Sequence, residues 1–336
     1  MLEIMEICLL TILGLLVISL AYSGFFGFLY MGIDRKLVAR MQGRVGPQIR
    51  QPFRDFLKLC GKESIVPHQA ISWLYEFAPI LALSSALTLM LYIPIGIAPV
   101  FAHFGDLIVI LYLLTMIGIA IIVGASSSSS LFGAVGAQRA MVMIISYEVP
   151  LAVVIFGLAW RMSIAQPGIP AFSLLAFSAQ NVWFLGGPLS FIGVCLLFLT
   201  ALMCIPGAMR IGPFDIPEAK TEIAFGPFVE YSGRALATFS LTYAINLIAI
   251  SSLTVAIFFP QGVSSFIALE GVGGVILDII FHVVKIFIIL FFTVSVVKTV
   301  TARLKITQAV QFYWFTLMSF GLLGLIFIML DYYWVV

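Results

Sequence analysis

A chain of 336 residues that is 62% hydrophobic and only 10% charged, with a mean hydropathy of +1.17, lies far from the soluble norm of about 25% charged residues. This composition excludes a water-soluble globular enzyme and marks an all-α polytopic membrane protein, a single transmembrane domain over residues 1–336. The net charge of +2 says little; no nucleic-acid partner is expected, and the lipid bilayer is the first partner.

Eight apolar runs reach the length needed to cross a bilayer: 5–31, 73–95, 107–125, 141–161, 189–208, 235–259, 273–297 and 308–334. The first is too long for a signal-peptide core and lacks a basic leader, so it reads as a retained span. Lys and Arg divide unequally between the two faces. The 1–2 connection holds eight, the 3–4 connection one, the 5–6 connection three and the 7–8 connection three, whereas the opposite face has Arg161 alone. The positive-inside rule puts the basic face in the cytoplasm of a cell (inner) membrane and both termini on the other side. The basic face thus carries the long polar loops, 32–72, 126–140, 209–234 and 298–307. The opposite loops (96–106, 162–188 and 260–272) are Gly/Pro/Ser-rich closures, with room for a surface helix. No internal repeat is visible, which argues against an inverted-repeat transporter.

In chain order, Phe53, Phe56, Leu57 and Leu59 alternate with Arg54, Asp55, Lys58 and Lys62. That pattern suits an amphipathic helix at the membrane face, although a basic stop-transfer loop explains it as well. Glu76 opens the second run, either as a functional acid or as an interfacial one. Ser126–Ser130 reads as a small-residue turn with local hydrogen bonds. Glu148 lies inside the fourth run, where a carboxylate costs about 2.5–3.5 kcal/mol and normally has a partner. Arg139, nine residues earlier, would be on the opposite side of a continuous helix, about 180° away. Between 213 and 234 lie Asp215, Glu218, Glu222 and Glu230 with Lys220 and Arg234, four of the chain's fifteen acids in one connection.

In the seventh run Asp278, His282 and Lys285 fall within an arc of about 60° on one helical face. They suit a relay, or a static Asp–Lys pair. The two ends are about 10.5 Å apart in rise, which needs His282 or water between them and favours the relay. His68 and His103 have no ligand-spaced neighbours. The four cysteines (Cys8, Cys60, Cys195 and Cys204) form no CxxC pair and no Cys/His cluster, so metal or cluster ligation within this chain is not expected. Tyr332, Tyr333 and Trp334 read as an interfacial belt.

Three segments in order, DRKLVARMQGRVGP (34–47), GAVGAQRAMVMIISYEVP (133–150) and PFDIPEAKTEIAFGPFVEYSG (213–233), resemble one membrane-protein family. It is the membrane subunit shared by respiratory complex I (the NADH:quinone oxidoreductase) and the energy-converting membrane-bound NiFe hydrogenases. The resemblance covers nearly the whole chain. Between Gly46-Pro47 and Gln51-Pro52 stand only Gln48, Ile49 and Arg50, where complex I usually has a Gly-rich insert. Lys220 follows Glu218-Ala219 where complex I typically has an acid, and TARLKITQ (301–308) is similar to the hydrogenase branch.

The resemblance therefore implies an ion-coupling and docking subunit of a hydrogenase complex, with complex I or a sulfur-reducing relative as alternatives and a stand-alone ion transporter as the rival class. It implies no redox centre in this chain, and Fe–S clusters with a NiFe centre in partners. Those partners would be hydrogenase-like large and small subunits and antiporter-like membrane subunits. It implies coupling or proton-path roles for Asp215, Glu218, Glu222, Glu230 and Glu148. Lys285 has a counterpart in the hydrogenase branch; Asp278, His282 and Glu76 join the candidates on position alone. Arg35, Lys36, Arg40, Arg44, Arg139 and Arg234 are the candidate contacts to the peripheral arm.

Overall fold

The structure, a computed structural model, describes residues 2–96, 99, 101, 107–166, 170, 172–264 and 271–335. The described residues form helices and no strands, and eight helices are long and apolar enough to cross a membrane. These spans are Gly14–Met41 (within the helix Leu2–Met41), Ser72–Tyr92, Leu107–Ser127, Leu131–Ala165, Pro188–Ala208, Gly233–Phe258, Val272–Val300 and Ile306–Trp334. Each falls on one of the eight predicted runs, and they are numbered one to eight below. His103 lies outside the described residues.

The loops on the basic face are shorter than predicted. Span one remains helical to Met41, so Arg35, Lys36 and Arg40 stand on its final turns and not in a loop. Span four begins at Leu131, which reduces the predicted 126–140 loop to 128–130 and puts Arg139 on the helix. Between spans seven and eight only 301–305 is non-helical. One cause serves all three corrections. Charge ends an apolar run, but Lys and Arg are good helix formers and Arg40 also suits the negative end of the helix dipole.

The alternation at 53–62 does form an amphipathic helix, Gln51–Cys60, with proline in its first turn. Its apolar face meets span one, with Phe53 5.7 Å from Phe25 and 5.5 Å from Phe28, and Phe56 5.2 Å from Phe28 between ring centres. On the opposite face a short helix, Leu174–Ala179, buries Leu174, Ala176 and Phe177 in the bundle and is capped by Ser173, whose side chain accepts from Leu175 N–H. Trp183 then donates to the Phe258 carbonyl at 2.7 Å and closes that loop onto the end of span six.

Span six is the axis of the bundle. In its most apolar window 89% of residues are buried, against 22% for span seven and 28% for span eight, whose outer faces are left for lipid or partner subunits. Small residues permit this centrality. A Cβ on Gly27 would sit 2.3 Å from the Ala244 carbonyl oxygen, so spans one and six meet backbone to backbone. Spans seven and eight each contain a π-helical turn, Phe291–Val296 and Phe312–Leu317. Such turns offset the side chains that follow them. The first brings Ser295 onto span one.

Candidate ion-coupling site

Residues 209–232 form no long helix. They fold as three short turns, Ile216–Glu218, Lys220–Ile223 and Gly226–Phe228. Arg210, Ala224 and Phe225 adopt left-handed backbone conformations with φ of 49°, 49° and 82°. Non-glycine residues hold that conformation only where their surroundings impose it. Here the surroundings are span four and a set of ion pairs.

Three of the four predicted acids are paired, two of them with bases from other elements. Arg303, after span seven, donates to Asp215 from Nε at 2.9 Å and from Nη2 at 2.6 Å, and its Nη1 donates to Thr221 at 2.7 Å. Arg139 on span four meets Glu222 at 2.5 Å. Arg210, at the start of the same segment, stands 2.9 Å from Glu218, and both side chains are largely buried (9% and 16% exposed). Burial pushes the Glu218 carboxyl up from its ordinary value; Asp215 adds to the rise, and Arg210 and Lys220 oppose it. Glu230 forms no ion pair among the described residues. Its backbone carbonyl accepts from Tyr75 at 2.7 Å, and Tyr75 stacks on Tyr231 at 4.2 Å with 5° between the rings. Tyr231 in turn donates to the Tyr75 carbonyl at 3.1 Å. This reciprocal clasp holds the end of the acidic segment to span two.

Asp34 completes the pairing and was missed in the sequence. It is 6% exposed, accepts from Ser295 Oγ at 2.7 Å and from Lys298 Nζ at 3.1 Å, and Tyr30 meets the same serine at 3.1 Å. Its signal was the Asp in DRK, at the edge of an apolar run, hidden among basic neighbours. Arg210 was likewise counted only for topology, and Asn246 passed unnoticed inside the most buried span.

The pairs of Asp34, Asp215 and Glu218, but not that of Glu222, line one cavity of about 610 Å³. Span one and the amphipathic helix contribute Tyr30, Asp34, Arg35 and Asp55; the acidic segment contributes Arg210, Asp215, Glu218 and Lys220; spans six and seven contribute Tyr243, Asn246 and Lys298. The volume falls within the range of small-molecule sites, about 300–1,000 Å³. A buried wall of paired carboxylates can respond to a nearby change of charge, because an opposite charge within about 4–6 Å moves a carboxyl pKa by units.

The other predicted residues lie apart from this cavity. Glu148 is half-buried on span four and makes no hydrogen bond or ion pair among the described residues, and Glu76 is exposed. Asp278 accepts from Ser264 N–H at 2.9 Å and from its hydroxyl, His282 Nε2 meets Ser252 Oγ at 2.6 Å, and Lys285 donates to the carbonyls of Phe259 (2.9 Å) and Gln261. All three thus reach toward span six and the loop after it, as their common face predicts. Among the described residues none is hydrogen-bonded to another of the three. Of the basic candidates, Arg35 pairs with Asp55 at 3.2 Å, Arg44 donates to Gln42, and the Arg234 backbone N–H donates to Ser64 at 3.1 Å. Lys36 is half-buried and Arg40 exposed.

Eight apolar spans around a buried axis, with an ion-paired cavity among the loops of one face, define the class: a polytopic α-helical membrane protein. The chain belongs to the NADH dehydrogenase family, whose model matches residues 12–329. It is similar to NADH-ubiquinone oxidoreductase chain 1 of Dictyostelium citrinum, 32% identical over 79% of this chain and 79% of that one. It is similar also to a subunit of the NADH-quinone oxidoreductase of Anoxybacillus flavithermus, 30% identical over 89% of this chain and 88% of that one. Among solved structures it matches the membrane-bound sulfane sulfur reductase, an archaeal respiratory membrane complex, with a TM-score of 0.82 at 28% identity, covering 95% of this chain and 99% of that one. The resemblance carried by the three motifs is borne out. The chain is a complex I-like membrane subunit of a multi-subunit oxidoreductase complex.

Proposed function

We propose that this chain is the docking and ion-coupling membrane subunit of an energy-converting complex of the NiFe-hydrogenase type. A peripheral arm would bring electrons from a ferredoxin-type donor through Fe–S clusters to a NiFe centre, where protons are reduced to hydrogen. Those centres belong to partner subunits in this reading, and antiporter-like subunits in the membrane move the protons or sodium ions. The basic face is cytoplasmic, in a cell (inner) membrane, and meets the arm through Arg35, Lys36, Arg40, Arg44, Arg139 and Arg234.

The observation that carries coupling is the pairing of acids across separate elements: Asp215–Arg303, Glu222–Arg139 and Asp34–Lys298. An arm that shifts one loop changes several pairs at once, from the buried Asp34 to the exposed Glu222, and each change moves a proton affinity. The short segment between Pro47 and Gln51 and the nearly full-length match to a sulfane sulfur reductase complex support this branch over the quinone-reducing one.

A second reading, quinone reduction as in complex I, is favoured by the cavity itself, since about 610 Å³ with tyrosines, apolar walls and charged groups suits a headgroup with a tail. The test is to purify the intact complex through a tag on this chain and measure nickel, hydrogen production from reduced viologen, and quinone reduction. Nickel with hydrogen production supports the proposal. Quinone reduction without nickel moves the chain to the second reading. Fe–S clusters with reduction of a sulfur compound and neither other activity moves it to the sulfur-reducing relatives.

A further inference from the structure

The amphipathic helix Gln51–Cys60 presents an unpaired basic stripe. Arg50 at its N-terminal edge, Arg54, Lys58 and, just beyond its end, Lys62 are exposed. Among the described residues none of these four side chains makes a hydrogen bond or an ion pair. The one acid in the helix, Asp55, is already taken by Arg35 at 3.2 Å and by Gln51 at 2.9 Å, and Glu63 follows only after Lys62.

Arg50, Arg54 and Lys58 recur at every fourth position, which puts them within an arc of about 80° on one face. Leu57, 67% exposed, falls on the same face, about 20° from Arg50. A large apolar side chain among bases suits a membrane interface, where aliphatic stems lie along the hydrocarbon and charged ends reach the phosphates.

The level of the helix against span one agrees. The chain just before it runs against Gly32, where a Cβ would collide with the Ile49 carbonyl oxygen. Phe53 and Phe56 then pack on Phe25 and Phe28. Span one is free of charge from Gly14 until Asp34, so the helix lies where the span changes from apolar to charged, at the edge of a bilayer. From Gly32 the span rises about 14 Å further to Met41, carrying Lys36 and Arg40. That is more than the headgroup layer of about 5–8 Å, so the bases assigned to the arm stand above the helix. The far side of the same helix belongs to the large cavity: Asp55 and Leu59 line it, turned about 100° and 140° from Arg54.

We propose that Arg50, Arg54 and Lys58 form a seat for anionic phospholipid headgroups of the leaflet on the basic face, and that lipid held there anchors the helix that walls the cavity. The match is one of charge. Three bases that no acid of this chain neutralises meet phosphates of opposite sign, and Leu57 meets the acyl chains beneath them. The seat does not depend on which acceptor the complex uses.

The test places the intact complex in nanodiscs of phosphatidylcholine, alone or with about a third of phosphatidylglycerol, and follows amide exchange over 51–60 by mass spectrometry. Each base close to an anionic surface is worth about fivefold in binding. Phosphatidylglycerol is therefore expected to slow exchange of the helix by about tenfold to a hundredfold, an effect that shrinks with added salt. In the variant Arg54→Gln/Lys58→Gln, with both positions exposed, no more than about fivefold should remain, and exchange in pure phosphatidylcholine should match the parent. Equal exchange in the two bilayers overturns the proposal, as does a double variant that responds to phosphatidylglycerol like the parent. Protection that ignores the lipid and disappears when the peripheral arm is stripped away also overturns it, and gives this face to the arm.

Discussion

Replacing Arg210 by Met isolates the buried pair beneath the cavity. Methionine is unbranched at Cβ, like arginine, so the left-handed turn at φ 49° is strained to a similar degree in both. What changes is the charge beside Glu218, whose side chain is 16% exposed. Burial already raises this carboxyl above its ordinary value of 4.5, and Arg210 is the main influence holding it down. Without it, Glu218 binds a proton more tightly in the folded than in the unfolded protein. Stability is then lost as pH rises above 4.5, at about 1.36 kcal/mol per unit, until the folded value is reached. The deficit is therefore larger at pH 7 than at pH 5. Breaking one buried pair costs about 3–5 kcal/mol, which bounds the loss at the upper end of the range. The assay is the melting temperature of the purified complex at pH 5, 6 and 7, for Arg210→Met alone and combined with Glu218→Gln. The single variant should lose most at pH 7, and the double variant should be flat with pH. An equal deficit at pH 5 and pH 7 would refute the reasoning.

Three further outcomes follow from single contacts. Gly27→Ala forces a Cβ to within 2.3 Å of the Ala244 carbonyl oxygen, an overpacking cost of about 1–3 kcal/mol, whereas Gly14→Ala meets nothing within 4 Å and serves as the neutral control. Equal melting of the two variants would show that spans one and six do not touch in this way. Lys285→Met removes the ammonium from the carbonyls of Phe259 and Gln261. Discounted for its half-exposed position the loss is about 1 kcal/mol, read as about fivefold faster amide exchange over 259–264 in mass spectrometry; unchanged exchange there would mean that Lys285 does not tie this loop. A double-mutant cycle on Asp34 and Lys298, 3.1 Å apart with the lysine 38% exposed, should give about 0.5–1 kcal/mol of coupling that weakens with added salt. A coupling indifferent to salt would place the pair out of reach of solvent.

The spans were legible in the sequence because a bilayer demands about 20 apolar residues in a row, and few other constraints write so plainly. Their ends were not. Arg35, Arg40 and Arg139 read as loop residues by charge, yet each stands on a helix, since helix propensity and hydropathy are separate properties. The acids of 215–230 announced themselves by concentration. Their partners did not: Arg303 reaches Asp215 across 88 positions and Lys298 reaches Asp34 across 264, and no local spacing encodes either contact. The face shared by Asp278, His282 and Lys285 followed from helical geometry. Their binding to Ser264, Ser252 and the end of span six depends on how two helices and a loop pack, which periodicity within one helix does not specify.

Coupling itself is tested most directly by reconstituting the intact complex in liposomes and recording electron transfer and ion uptake together, for the parent and for Glu148→Gln. Coupling through this chain predicts that the variant still passes electrons when the membrane is made leaky, while ions moved per electron collapse. Ion uptake at the parental ratio in Glu148→Gln would contradict it and leave the chain as an anchor for the arm.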